Sequence, residues 1–82
     1  MNIQLIQGVF TPVDTLELLS QMVQVKIKYQ ESKIAATGNE EDIKYRESKI
    51  KHLQNELFEL RNQLTLNGNR LKIDATINIS QV

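Results

Sequence analysis

His52 is the only histidine of this 82-residue chain, and Glu56 and Glu59 follow it one and two helical turns on. One imidazole and two carboxylates on a solvated helix face hold a metal weakly, because specific sites add further imidazoles or thiolates. The chain has no cysteine, which removes thiolate ligands, cysteine nucleophiles and disulfides together. Ser20, Ser32 and Ser48 fall inside stretches of helical character, where no glycine-rich turn lifts a hydroxyl toward a base. Gly8, Gly38 and Gly68 lie thirty residues apart and cannot form a phosphate-cradling loop. The carboxylates fall mostly at helix starts or on polar faces, so no pair of acids is set in a cleft for hydrolysis. These residues predict a non-enzymatic protein with no catalytic, metal-binding or cofactor-binding residues.

Charge bears on nucleic acid. Ten Lys plus Arg balance ten Asp plus Glu, which argues against binding to polyanions through bulk electrostatics. Lys26, Lys28, Lys33, Lys44, Arg46, Lys49 and Lys51 do gather in the middle of the chain, but Glu31, Glu40, Glu41, Asp42 and Glu47 are interspersed among them. A small nucleic-acid-binding regulator is therefore the alternative reading, behind a protein that binds proteins. No apolar run approaches the roughly 20 residues of a membrane span, and MNIQLIQ lacks the basic and apolar parts of a signal peptide. A cytoplasmic location and no membrane partner are expected.

The elements that carry these residues follow from period and punctuation. Ile3, Leu5 and Val9 share one parity between Asn2 and Phe10, which reads as a half-buried strand over 2–10, although Ile6 and Gln7 break the alternation. Thr11-Pro12-Val13-Asp14 combines a capping hydroxyl, a proline at the first helical position and a first-turn acid, so a helix starts at 12 and runs to 36. Thr37-Gly38 stops it, Asn39 caps a second helix over 40–66, and Glu40, Glu41 and Asp42 suit the positive end of that helix's dipole. After Asn67-Gly68-Asn69, Leu71, Ile73, Ala75, Ile77 and Ile79 alternate with polar residues and predict a strand over 70–80. The expectation is a single α+β domain in β-α-α-β order, with the terminal strands paired antiparallel. Val9 is expected beside Leu71, Leu5 beside Ala75 and Ile3 beside Ile77, with all of these on one face.

In the second helix Ile43, Ile50, Leu57 and Leu64 recur every seven residues, with Arg46, Leu53 and Leu60 between them: an a/d coiled-coil seam with one polar exception. A loop of two or three residues around Gly38 forces the helices antiparallel. The register then pairs Ile34 with Ile43, Ile27 with Ile50, Val23 with Leu53, Leu19 with Leu57 and Leu16 with Leu60. It also sets Gln30 level with Arg46, a polar layer of the kind that fixes register and partner choice. KYQESKI over 28–34 recurs as KYRESKI over 44–50, which fits a two-fold relation between the helices.

The first helix carries a second apolar flank. Leu18, Met22, Val25 and Tyr29 recur at four, three and four residues, roughly 140° from the seam. Burying them is worth on the order of 1.5–3 kcal/mol apiece, so something is expected to cover them. Either the strands fold back over them or a second protomer does, and an isolated two-stranded ribbon leaves two free edges in any case. A homo-oligomeric interaction or assembly protein, most simply a dimer, is the function this sequence favours, and a further protein partner is compatible with the same flank.

Overall fold

The computed structural model describes the backbone of residues 1–82 and the side chains of all but 65–67. It has the order β1 (Asn2–Phe10), α1 (Pro12–Ala36), α2 (Glu40–Asn67), β2 (Leu71–Asn78), with β1 and β2 paired antiparallel in a two-stranded sheet. The expected α+β architecture is therefore present. The element bounds differ from expectation at two places: α2 extends one residue to Asn67, and β2 is trimmed to 71–78.

The caps act as the sequence reads. Thr11 Oγ1 accepts a hydrogen bond from the Asp14 N–H at 3.1 Å, and Asn39 Oδ1 accepts from the N–H groups of Glu41 and Asp42 at 2.9 and 3.1 Å. Each satisfies donors that a helix start leaves without an intrahelical partner. The Thr37 N–H closes α1 on the carbonyls of Lys33 and Ile34. Gly68 ends α2 with φ 63°, a left-handed conformation that costs glycine little.

The helices meet along the expected stripe. Ile27, Leu53 and Leu64 are buried, and Leu16, Leu19, Val23, Ile34, Ile43, Ile50, Leu57 and Leu60 are half-buried. Arg46 Nη1 donates to Gln30 Oε1 at 2.9 Å, which places residues 30 and 46 at one level. Arg46 Nε also reaches Asp42 Oδ2 at 3.2 Å, one turn back on its own helix. The internal echo is centred on this layer. Sixteen residues separate Gln30 from Arg46, as they separate Ile27 from Ile43 and Ile34 from Ile50. The isoleucine layers on either side are thus equivalents of each other in the sequence repeat. In both copies a lysine lies over the tyrosine four residues earlier, Lys33 on Tyr29 at 5.6 Å and Lys49 on Tyr45 at 4.7 Å.

The sheet register corrects the expectation in part. Ile3 pairs with Ile77, but Val9 faces Lys72, Phe10 faces Leu71 and Ile6 faces Ala75, because the ladder shifts between Gln4 and Ile6. Leu5 is the extra residue of a β-bulge. One unpaired residue reverses side-chain parity along the rest of β1. Ile3 and Ile6, which have opposite parity in the sequence, therefore share a face with Phe10 and with Leu71, Ile73, Ala75 and Ile77. Val9, opposite Lys72, goes to the other face, and Val9 and the unpaired Leu5 are 62% and 47% exposed.

Candidate interaction surface

The ribbon does not lie along the hairpin. The molecule measures 45 × 33 × 14 Å with a radius of gyration of 15.5 Å, whereas a compact chain of this length has about 12 Å. Only the root of the sheet packs on α1. Phe10 sits beside Asp14, Leu18 and Gln21, while Leu71 and Ile73 border Thr15, Leu19, Leu60 and Leu64. The flank read from the sequence is thereby divided. Leu18 and Met22 are half-buried, but Val25 and Tyr29, farther along α1, are 68% and 56% exposed. The structure brings Leu18 beside the sheet root, leaves Met22 half-buried and leaves the last two open.

The same division runs along the sheet. On its apolar face Ile6, Phe10, Leu71, Ile73 and Ala75 are half-buried near the root, whereas Ile77 and Ile79 toward the tip are 42% and 50% exposed. The sequence reading set the apolar residues of the strands on one face and left open what covers it, so the exposed tip was not foreseen. The signal that could have found it is length. Nine residues of strand reach about 30 Å, and the first turns of a helix some 10 Å wide cover only the near half.

Surface area gives a second measure. The chain exposes 6704 Å², where a compact monomer of 9.5 kDa exposes about 5,000 Å². The surplus of about 1,700 Å² exceeds the roughly 800 Å² that one partner contributes to a standard interface.

The remaining polar features are local. Inside the seam Arg46 donates to Gln30 Oε1 through Nη1 and to Asp42 Oδ2 through Nε. His52 Nε2 lies 2.6 Å from Glu56 Oε1 on an exposed face, and among the described residues no three His, Asp or Glu converge on a metal position. A groove of about 430 Å³ at the closed half of the hairpin sets Lys26 and Gln30 opposite Tyr45, Ser48, Lys49 and His52. Thr15 is 2% exposed, and its hydroxyl finds no hydrogen-bond partner among the described residues. No described helix is long and apolar enough to cross a membrane.

Compared with protein-family models, with curated proteins and with solved structures, the chain matches none.

Proposed function

We propose that this chain is a non-enzymatic interaction or assembly module that completes its core by self-association, with a two-fold dimer as the simplest form. The observation that supports this reading is the surplus of exposed surface, which includes apolar side chains on both the helix flank and the sheet tip. Val25 and Tyr29 on α1 and Ile77 and Ile79 on the sheet are uncovered by their own chain. The intramolecular core is correspondingly thin, with Ile27, Leu53 and Leu64 the buried apolar residues among those described. A small domain held by so little burial is marginal, and shared burial between copies is a common remedy. A cytoplasmic location belongs to the same proposal and draws on the cysteine-free composition.

Light scattering over a dilution series tests the reading, with a dimer mass expected at micromolar concentration. Val25→Glu combined with Met22→Glu is expected to lower that mass while leaving the helical circular dichroism in place. A folded monomer at every concentration would overturn self-association.

A second reading draws on the groove lined by Lys26 of α1 and by Lys49 and His52 of α2, where Lys49 lies over the Tyr45 ring. Cations beside an aromatic ring suit a single-stranded nucleic acid. Glu56 offsets His52, and the chain's net charge is zero, so this stands second. A gel shift with mixed single-stranded and duplex DNA that weakens steeply with salt would promote it, and no shift at low salt would end it.

A further inference from the structure

We propose that β2 pairs antiparallel with β2 of a second copy about a two-fold axis through Ala75, joining two ribbons into a four-stranded sheet β1-β2-β2-β1. This deepens the self-association reading above and rests on it.

The free edges of the ribbon are unequal, and that selects the strand. β1 carries the bulge at Leu5, and its Gly8 has φ 151°, outside the range that other residues readily adopt. The bulge interrupts the outward-facing row of main-chain groups, a usual means of blunting an edge. β2 is regular over all of 71–78 and contains neither proline nor glycine. Met1 and Ile79 exchange both main-chain hydrogen bonds, at 2.9 and 2.8 Å, so Ile79 points its N–H and C=O inward toward β1. Alternation along a strand then turns Ile77, Ala75, Ile73 and Leu71 inward as well. Lys72, Asp74, Thr76 and Asn78 are left with their N–H and C=O groups facing away from β1, and all four are exposed.

The residue pattern of β2 selects the occupant. Read outward from Ala75, the strand is palindromic in character: Asp74 and Thr76, then Ile73 and Ile77, then Lys72 and Asn78, then Leu71 and Ile79. A two-fold axis at Ala75 therefore sets polar residues opposite polar ones and isoleucine opposite isoleucine. It opposes no like charges directly, whereas an axis at Asp74 would set two aspartates face to face. The 74–76 and 72–78 pairs supply about eight new main-chain hydrogen bonds from groups already aimed outward. The same register lays the open tip of each ribbon, Ile77 and Ile79, beside the root of the other, Ile73 and Leu71, where that copy's helices already cover the apolar face. An unrelated strand could use the edge, but it would have no reason to match this symmetry.

Because the chain has no cysteine, Ala75→Cys creates the sole thiol. On the axis the two Cα atoms form a non-hydrogen-bonded pair about 4.5 Å apart, within the span of a disulfide. Mild oxidation of this variant is expected to give a covalent dimer in near-quantitative yield on a non-reducing gel. Thr76→Pro removes one outward N–H without touching the β1 ladder, and is expected to give a monomer with the helical spectrum retained. If the wild-type chain is a dimer by light scattering but Ala75→Cys stays unlinked, strand pairing is overturned and self-association by another surface survives. If the wild-type chain is a monomer and Ala75→Cys stays unlinked, both fall. A covalent dimer from Ile77→Cys but not from Ala75→Cys overturns this register, and an unlinked Ala75→Cys chain that takes up a foreign strand overturns the choice of occupant.

Discussion

The hairpin and the ribbon solve the same problem with unequal success. Both are antiparallel pairs of similar length built around an alternation of apolar and polar residues. In the hairpin the two apolar stripes face each other, so burial is mutual and the elements need no third party. In the ribbon the two strands lie side by side, so their apolar residues share one face and that face needs a cover. α1 covers the near half at Thr15, Leu18 and Leu19, and the far half at Ile77 and Ile79 is open. A helical pair can close on itself; a two-stranded sheet cannot.

The comparison breaks most sharply at Ile27, buried in the hairpin seam. Ile27→Asp places an unpaired carboxylate among isoleucines, at a cost of at least about 3 kcal/mol in a chain with little stability to spare. Loss of the helical circular dichroism at 25 °C is expected. Ile79→Asp makes the same chemical change on the ribbon's open tip and is expected to leave the monomer's spectrum intact while lowering the associated mass. Unfolding by both variants, or by neither, would erase the distinction between the two halves.

Gly8 tests the ribbon at its root. A side chain there meets the φ of 151° that β1 adopts, as well as the ring of Phe10, which lies 3.5 Å from where a Cβ would stand. Gly8→Val is expected to cost about 2 kcal/mol, read as a fall in the thermal midpoint. The strain is in the backbone, so Gly8→Ala is expected to lose most of the same amount. A midpoint unchanged by either substitution would show that β1 relaxes to an ordinary extended conformation.

The hairpin was legible in the sequence because two independent constraints agree on it. The seven-residue spacing of Ile43, Ile50, Leu57 and Leu64 fixes the face of α2, and the short loop at Gly38 fixes the direction of its partner. Together they place Gln30 against Arg46, which the 2.9 Å hydrogen bond matches. The ribbon was half legible. The strict alternation of β2 gave its face, but parity in β1 is lost at Leu5, and nothing local in Ile3-Gln4-Leu5-Ile6 marks which residue bulges. The regular partner strand decides it, because only an extra residue lets Ile3 and Ile6 both lie on the face of Ile77 and Ala75. The fate of the outer flank was not legible at all, since the angle at which the ribbon leaves α1 determines that Leu18 is covered and Val25 is not.

The polar layer sharpens the hairpin side of the comparison at lower cost. Replacing Gln30 and Arg46 together by leucine removes a partly desolvated pair and continues the isoleucine layers above and below. A gain of about 1 kcal/mol is expected, read in urea denaturation, since apolar replacement of such pairs is often stabilising. Arg46→Leu alone leaves the Gln30 amide without its partner and is expected to lose stability instead. The sign difference between the single and double variants is the test, because a pair that is fully hydrated would give two small values of the same sign.

The smallest expected change in stability comes from deleting Leu5, and it sharpens the ribbon side most. The bulged residue opposes no residue of β2, so its removal joins Gln4 to Ile6 across the positions that already face Thr76 and Ala75. The pairs on both sides of the bulge are preserved, and the apolar face keeps Ile3, Ile6 and Phe10. The thermal midpoint is therefore expected to move by less than about 0.5 kcal/mol in equivalent stability. The edge of β1 changes instead, because a regular row of outward N–H and C=O groups replaces a distorted one. Light scattering is expected to show species larger than those of the wild-type chain. If deletion instead unfolds the sheet, the bulge is holding Ile3 and Ile6 on one face through its own geometry, and the parity argument for β1 has to be replaced by one based on local twist.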